Sequence, residues 1–288
     1  MGQYRAPRTI EELAALLSRA DSGAFFVAGG TDLTIKLRRQ KIFDFDLIDL
    51  SRVESLSDID KDEGSLRIGA AVTMADLART PLVVQSLNAM ATAASRMGST
   101  QIRNRATIGG NVANASQCAD LLTVLMACGS LCEILSGGSG LRKDRVENIV
   151  IGLGETTLAR DEVITRFIVP IPTGLSGFSK IGSRKAVAIS KLNCCLIAEE
   201  EGKSIKNPVV YLGAVGPKPV RASLLEAALE GRAFRGEVVH GLQEEIRRQI
   251  ETLIPTRASR HYKKEAAIGL LEDAIDDCLA LEGGMGRE

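Results

Sequence analysis

Histidine is scarce in this chain: two in 288 residues, His240 and His261, both in the C-terminal half. No nucleophile–base pair can be assembled from them by motif, which argues against hydrolytic chemistry carried by side chains alone. A dominant charge is also missing. Lys plus Arg and Asp plus Glu number 36 each, so no overall field draws the chain to nucleic acid or to an anionic membrane. The longest apolar stretch, LLTVLMACGSLC (121–132), is too short and too rich in small residues to span a bilayer. The start, MGQYRAPRTIEEL, lacks the apolar core of an export signal, and Ala6 stands where a myristoylation signal needs Ser or Thr. A cytoplasmic protein is therefore expected. Six cysteines are too few for a disulfide framework at this length, and the neighbours Cys194 and Cys195 cannot bridge each other without strain. Cys118, Cys128 and Cys132 lack C-x2-C spacing, so they read as reduced, small apolar residues on a helix rather than as a metal cluster. Neither a P-loop nor a G-x-G-x-x-G turn from strand to helix is present, which disfavours a P-loop enzyme and a Rossmann dehydrogenase.

What is present is a soluble-type composition, 45% hydrophobic and 25% charged, with length for two domains. TIEELAALLSRA reads as a helix capped by Thr9 and ending at DSG. The segments AFFVAGG and FDLIDLS read as strands, so residues 1–55 form a βαβ unit. SLRIGAAVTM alternates as a strand, and PLVVQSLNAMATAASRMG predicts one long helix from Pro81 to Gly98. ADLLTVLMACG predicts a further helix, LCEILSGGSGLRKDRV a hairpin, and EVITRFIVPIP a strand closing a first domain at residue 172. Residues 175–281 then read as a small sheet covered by helices at about 222–230, 236–253 and 259–281, an α+β module. The tail GGMGRE reads as frayed.

Two stretches set bare backbone beside polar side chains. In VAGGTDL, Val27, Ala28, Gly29, Gly30, Thr31, Asp32 and Leu33 run from an apolar strand into a turn whose peptide N–H groups a ligand can approach. Thr31 adds a hydroxyl, Asp32 is expected to order the loop through backbone N–H groups, and Leu33 to close it on the core. About eighty residues later, Thr107, Ile108, Gly109, Gly110 and Asn111 repeat the arrangement. Asp120, at the start of the next helix, is read as a cap or as an acceptor for a ligand's hydroxyls. One Gly-Gly pair is usually only a turn. Two anion-compatible loops with a polar partner suit a long ligand with a central diphosphate.

The blocks AGGTDL, RNRATIGGN, NASQCAD, DEVITRFIVPIP, FSKIGSRKAVAIS and NPVVYLGAVGPKPVRA, in this order, resemble the FAD-binding medium subunit of the xanthine dehydrogenase and carbon monoxide dehydrogenase family of molybdenum hydroxylases. The resemblance covers nearly the whole chain. It implies an α+β fold: a two-part FAD-binding domain of the vanillyl-alcohol oxidase type over 1–172 (subdomains 1–55 and 56–172), then a C-terminal domain over 175–281. It implies FAD, with the diphosphate on residues 27–33 and 107–111 and Asp120 at the cofactor. It also places Ile164 near the flavin and Lys180 close to the ring system, where an ammonium stabilises negative charge and raises the potential. Without the resemblance, Lys180 reads as a surface strand lysine. Gln117 departs from a proline common in the NASP block, which predicts a looser approach to Asp120. SRHYKKEAA from Ser259 matches an S-x-x-Y-[RK] helix start, read as structural docking.

The function implied is that of an electron-transfer subunit, an oxidoreductase component without its own catalytic side chains. It would take electrons from [2Fe–2S] clusters on an iron–sulfur subunit served by a molybdopterin-binding large subunit. It would pass them to NAD or another acceptor within a heterohexamer-type assembly. The alternatives are a stand-alone FAD-dependent oxidoreductase of the same fold and a cofactor-free assembly subunit.

Overall fold

The computed structural model describes residues 2–19, 24–184 and 187–280. The expected helix stop at DSG and the GGMGRE tail lie outside the described residues. The chain is α+β, and its described residues form three larger sheets and a two-stranded ribbon, Val150–Gly152 with Glu155–Thr156. The first is parallel, with Leu47–Asp49 between Tyr4–Arg5 and Phe25–Val27, as the βαβ reading requires. Its helix Ile10–Leu17 starts as expected: Thr9 Oγ1 accepts from Glu12 N at 3.2 Å, while Glu12 Oε2 accepts from Arg8 N at 2.7 Å. Leu13, Leu17 and Ile48 are buried beneath it.

The second sheet is antiparallel, with Glu162–Pro170 at its centre between Ser65–Gly69 and the hairpin Leu131–Ser136/Gly140–Arg145. Two elements here depart from expectation. The strand through SLRIGAAVTM stops at Gly69, where a Cβ would fall 2.2 Å from Leu56 O. The chain turns there instead, and Thr73 caps a helix, Met74–Arg79, that the alternating pattern concealed. The single helix expected from Pro81 to Gly98 is two, Pro81–Ser86 and Asn88–Ser95, broken at Leu87 (φ −155°, ψ 78°). A tertiary contact accompanies the break: Asn88 Nδ2 donates to Asp277 O at 2.9 Å, tying the second helix to the far end of the chain.

The third sheet, Leu175–Ile181, Leu192–Glu201, Ser204–Gly213 and Val220–Arg221, is antiparallel and apolar on both faces. Period-two alternation sends Leu192, Cys194 and Leu196 into a core with the C-terminal helices, while Phe178, Cys195 and Tyr211 enter the core of the first domain. The sheet is thus a shared wall that packs against the helices Asn88–Ser95 and Asp120–Ala127. The adjacent thiols Cys194 and Cys195 serve opposite cores, and burial pushes both up, Cys194 to about 12. Cys132 lies on a strand, Cys128 caps a helix end and Cys118 precedes a helix, so the three are not on one helix as expected. The expected helix over 236–253 is a 3₁₀ segment, Gly236–Gly241, followed by Gln243–Leu253.

The last helix, Arg260–Leu279, packs directly on this wall, because Gly177 leaves room where a Cβ would sit 2.1 Å from Ala274 O. Asp277 on that helix accepts from Phe178 N at 2.9 Å and from Asn88 and Thr92 at 3.3 Å each. Burial raises this carboxyl above its usual 3.8, with those hydrogen bonds and Arg96 opposing. The native state therefore holds the proton more tightly than the unfolded chain, so stability falls as pH rises from 3.8 through the raised value. Urea unfolding from pH about 4 to about 7 should show this loss in the wild type. Asp277→Asn should remove the loss, and an unchanged pH slope would contradict the assignment.

Candidate functional site

The two glycine loops meet. A Cβ on Gly29 would fall 2.0 Å from Arg105 O, so the first loop rests directly on the backbone that leads into the second. Between them opens a cleft of about 570 Å³, lined by residues 26–33, by Thr107, Gly110 and Asn111, and by Asp120 and Lys180. Residues 97–99 and Ile102 form one wall, and residues 187–190 of the C-terminal domain form another. A second cavity of about 590 Å³ shares Phe26, Ala28, Lys36, Gly110 and Ala113 with the first and is lined by Gly109 and Ile164. The two make an elongated track with the glycine loops at its waist. Ile164 and Lys180, which the resemblance sets near one ring system, line different ends of this track. Ile108 is fully buried in the core and faces neither cavity.

Within each glycine pair the roles divide. Gly29 and Gly109 are packing positions: each Cβ would strike backbone, Arg105 O for the first and Ala70 O at 2.7 Å for the second. Gly30 and Gly110 face the cleft. Gly30 takes φ +71°, which permits the turn, and a Cβ on Gly110 would meet only the Thr107 hydroxyl, at 3.0 Å. The second loop is itself helical, Ile108–Ala113, with Thr107 Oγ1 accepting from Gly110 N at 3.2 Å.

The first loop opens the helix Leu33–Gln40 at Asp32, which makes no side-chain cap. Its carboxylate is 3.3 Å from the Thr31 hydroxyl instead, so the expected ordering of loop amides by Asp32 is not what the fold does. Leu33 is half-buried. An uncapped helix start leaves N–H groups that favour an anion. Asn111 Oδ1 is buried with no donor among the described residues, and it lines the same cleft. A ligand that accepts from amides and donates a hydroxyl to Asn111 satisfies both needs.

Asp120 does not cap its helix, Asp120–Ala127. Its carboxylate, 4% exposed, takes Lys180 Nζ at 2.6 Å on Oδ2, and on Oδ1 the Ser190 hydroxyl at 2.5 Å and Asn193 Nδ2 at 3.0 Å. All three partners come from the C-terminal domain. Lys180 is thus no surface lysine: it also donates to Arg96 O at 3.1 Å. Gln117 does not loosen this arrangement, since its carbonyl accepts from Ala214 N at 3.1 Å and Asp120 is held on both oxygens. At the S-x-x-Y-[RK] start, buried Lys263 donates to Ala214 O and Tyr262 lies under Lys191, contacts that dock the last helix. Burial lowers the Lys263 ammonium's affinity for its proton. His240 and His261 are exposed, and among the described residues no three His, Cys, Asp or Glu side chains converge as metal ligands.

The family model for the FAD-binding domain in molybdopterin dehydrogenase matches residues 1–172. The chain belongs to this family. Residues 178–278 match the carbon monoxide dehydrogenase flavoprotein C-terminal domain. The chain is 28% identical to the nicotinate dehydrogenase FAD-subunit of Eubacterium barkeri over 98% of both chains. It is 27% identical to the carbon monoxide dehydrogenase medium chain of Hydrogenophaga pseudoflava over 95% of this chain and 96% of that one. Quinoline 2-oxidoreductase from Pseudomonas putida 86 shares the fold, with a TM-score of 0.87 at 24% identity over 99% of this chain and 98% of that chain. The protein is thus an FAD-binding oxidoreductase subunit of the molybdenum hydroxylase family. No helix among the described residues is long and apolar enough to cross a membrane.

Lys36, Ser190, Asn193 and Thr123 escaped the sequence reading. The signal for Asn193 was present: it is the one amide in the apolar strand segment LNCCLIA, where a buried polar side chain needs a partner.

Proposed function

We propose that the chain is the electron-transfer subunit of a molybdenum hydroxylase complex, holding FAD across the glycine loops. The observation that carries this reading is the convergence of both loops on one track with cavities at either end. The N–H groups of Gly30, Thr31 and Asp32 suit the diphosphate, with bare Gly110 lining the same cleft and Lys36 as a nearby cation, and Asn111 Oδ1 suits a ribityl or ribose hydroxyl. Lys180 presents its ammonium to one end, and Ile164 supplies an apolar contact at the other. When bound, FAD supplies the redox chemistry; the chain supplies binding, orientation and electrostatics, which accounts for a site without a nucleophile–base pair.

In this reading [2Fe–2S] clusters on a partner subunit deliver electrons, a molybdopterin-binding large subunit generates them, and NAD or another acceptor removes them. The name medium chain borne by the Hydrogenophaga relative supports larger and smaller partner chains; the reading completes them as a heterohexamer-type assembly in the cytoplasm. Tagged protein purified from its native host should be yellow, release FAD on denaturation, and bring with it two further polypeptides together with iron and molybdenum. A yellow chain that purifies alone and turns over an electron donor unaided would instead establish a stand-alone flavoprotein.

A further inference from the structure

We propose that Thr123, Asn193 and Ser190 are positioning residues that aim the Lys180 ammonium into the cleft by acting through Asp120. The inference rests on the FAD reading of the cleft and assigns work to residues that, Ser190 apart, do not line it. Thr123 and Asn193 are fully buried, and Thr123 Oγ1 donates to Asn193 Oδ1 at 2.8 Å. The Asp120 carboxylate only accepts, so the amide turns its NH2 to Oδ1, and the Thr123 hydroxyl holds it there by donating to the amide oxygen on the other side. The reversed amide would set its oxygen against a carboxylate. Gly213 shows that the fold makes room for this contact, since a Cβ there would fall 2.1 Å from Asn193 Oδ1 and 2.6 Å from Thr123 Oγ1.

The consequence is an ordered carboxylate. Oδ1 is filled by two neutral donors, Asn193 and Ser190, which leaves Oδ2 to Lys180. Of the three N–H groups on Lys180, one goes to Asp120 and one to Arg96 O, and the third remains for the cleft that Lys180 lines. A chain of polar groups buried between two domains is costly unless every member is paired, and here each link fixes the direction of the next. The ammonium is therefore held at one place relative to the ligand, although the residues that set it lie behind the wall.

The test compares Thr123→Val, which keeps the side-chain volume and loses the hydroxyl, with Thr123→Ser, which keeps the hydroxyl and loses a methyl. FAD affinity, flavin midpoint potential and melting temperature are measured on the full chain. The relay predicts that Thr123→Val weakens FAD binding about tenfold, on the scale seen for other residues that act through a ligand's neighbour. It also predicts a midpoint potential shifted negative, with Thr123→Ser matching wild type in both whatever its melting temperature. Ser190→Ala, which retains the Thr123–Asn193 link, should weaken FAD binding severalfold and supports the relay if Thr123→Val does not fold. Affinity that follows melting temperature across the set, or unchanged affinity and potential in Thr123→Val and Ser190→Ala, overturns the relay alone. Wild-type chain that takes up no FAD overturns the reading of the cleft and the relay with it.

Discussion

Gly29→Ala is expected to destabilise the chain by roughly 3 kcal/mol or more and to abolish FAD binding, because the new methyl overlaps a backbone that cannot rotate away. A Cβ at this position lies 2.0 Å from Arg105 O, 2.6 Å from Arg105 C and 3.0 Å from Ala106 Cα. The two loops can then only separate, and the waist of the track opens. Gly110→Leu is expected to behave differently. Its Cβ meets only the Thr107 hydroxyl, at 3.0 Å, and Gly110 lies inside a helix, where replacing glycine gains up to about 1 kcal/mol of propensity. Its urea midpoint should stay near wild type while the leucine fills the cleft and FAD binding is lost. Urea unfolding and fluorimetric FAD titration of both variants separate the roles. A Gly29→Ala protein of wild-type stability, or a Gly110→Leu protein that still binds FAD, would show that the division within the glycine pairs is wrong.

Lys180→Met should be the second severe change, with a cost of about 3–5 kcal/mol, because it strands a buried carboxylate. The side chains of the pair are 10% and 5% exposed, and Ser190 and Asn193 supply hydrogen bonds without charge. Water cannot replace the lost ammonium cheaply at that depth. The double variant Asp120→Asn/Lys180→Met removes both charges and should recover most of the stability, so the two changes should be strongly non-additive. FAD affinity should not recover, since the cleft still lacks the Lys180 ammonium. Additive losses would mean that the pair is not coupled in solution. Recovery of FAD affinity in the double variant would mean that Lys180 acts only through the fold.

The loops themselves were legible because glycine pairs directly after an apolar strand are local features. Which glycine in each pair packs and which faces the ligand was not legible. That division depends on Arg105 O and Ala70 O, backbone atoms brought in by the fold rather than by neighbouring sequence. The same limit explains Asp120. A carboxylate at a helix start looks like a cap, but its three partners lie sixty to seventy-three residues away, beyond a domain boundary. The helix break at Leu87 has a similar origin, since Asn88 answers to Asp277 across 189 residues. Period-two alternation in LNCCLIA needs no such partner to be read, and the structure uses it to face two cores at once. Asp32 was misread through chemistry: an Asp side chain in a turn commonly accepts from nearby backbone N–H groups. Here an uncapped start keeps its amides available at the very place where an anion is expected.

A crystal structure of the full chain grown with FAD tests the central claim most directly. The account predicts density for the diphosphate between Gly30 and Gly110, a hydroxyl of the cofactor on Asn111 Oδ1, and the two ring systems in the two cavities. FAD bound elsewhere, or the two glycine turns moved apart with the diphosphate touching neither, would contradict it.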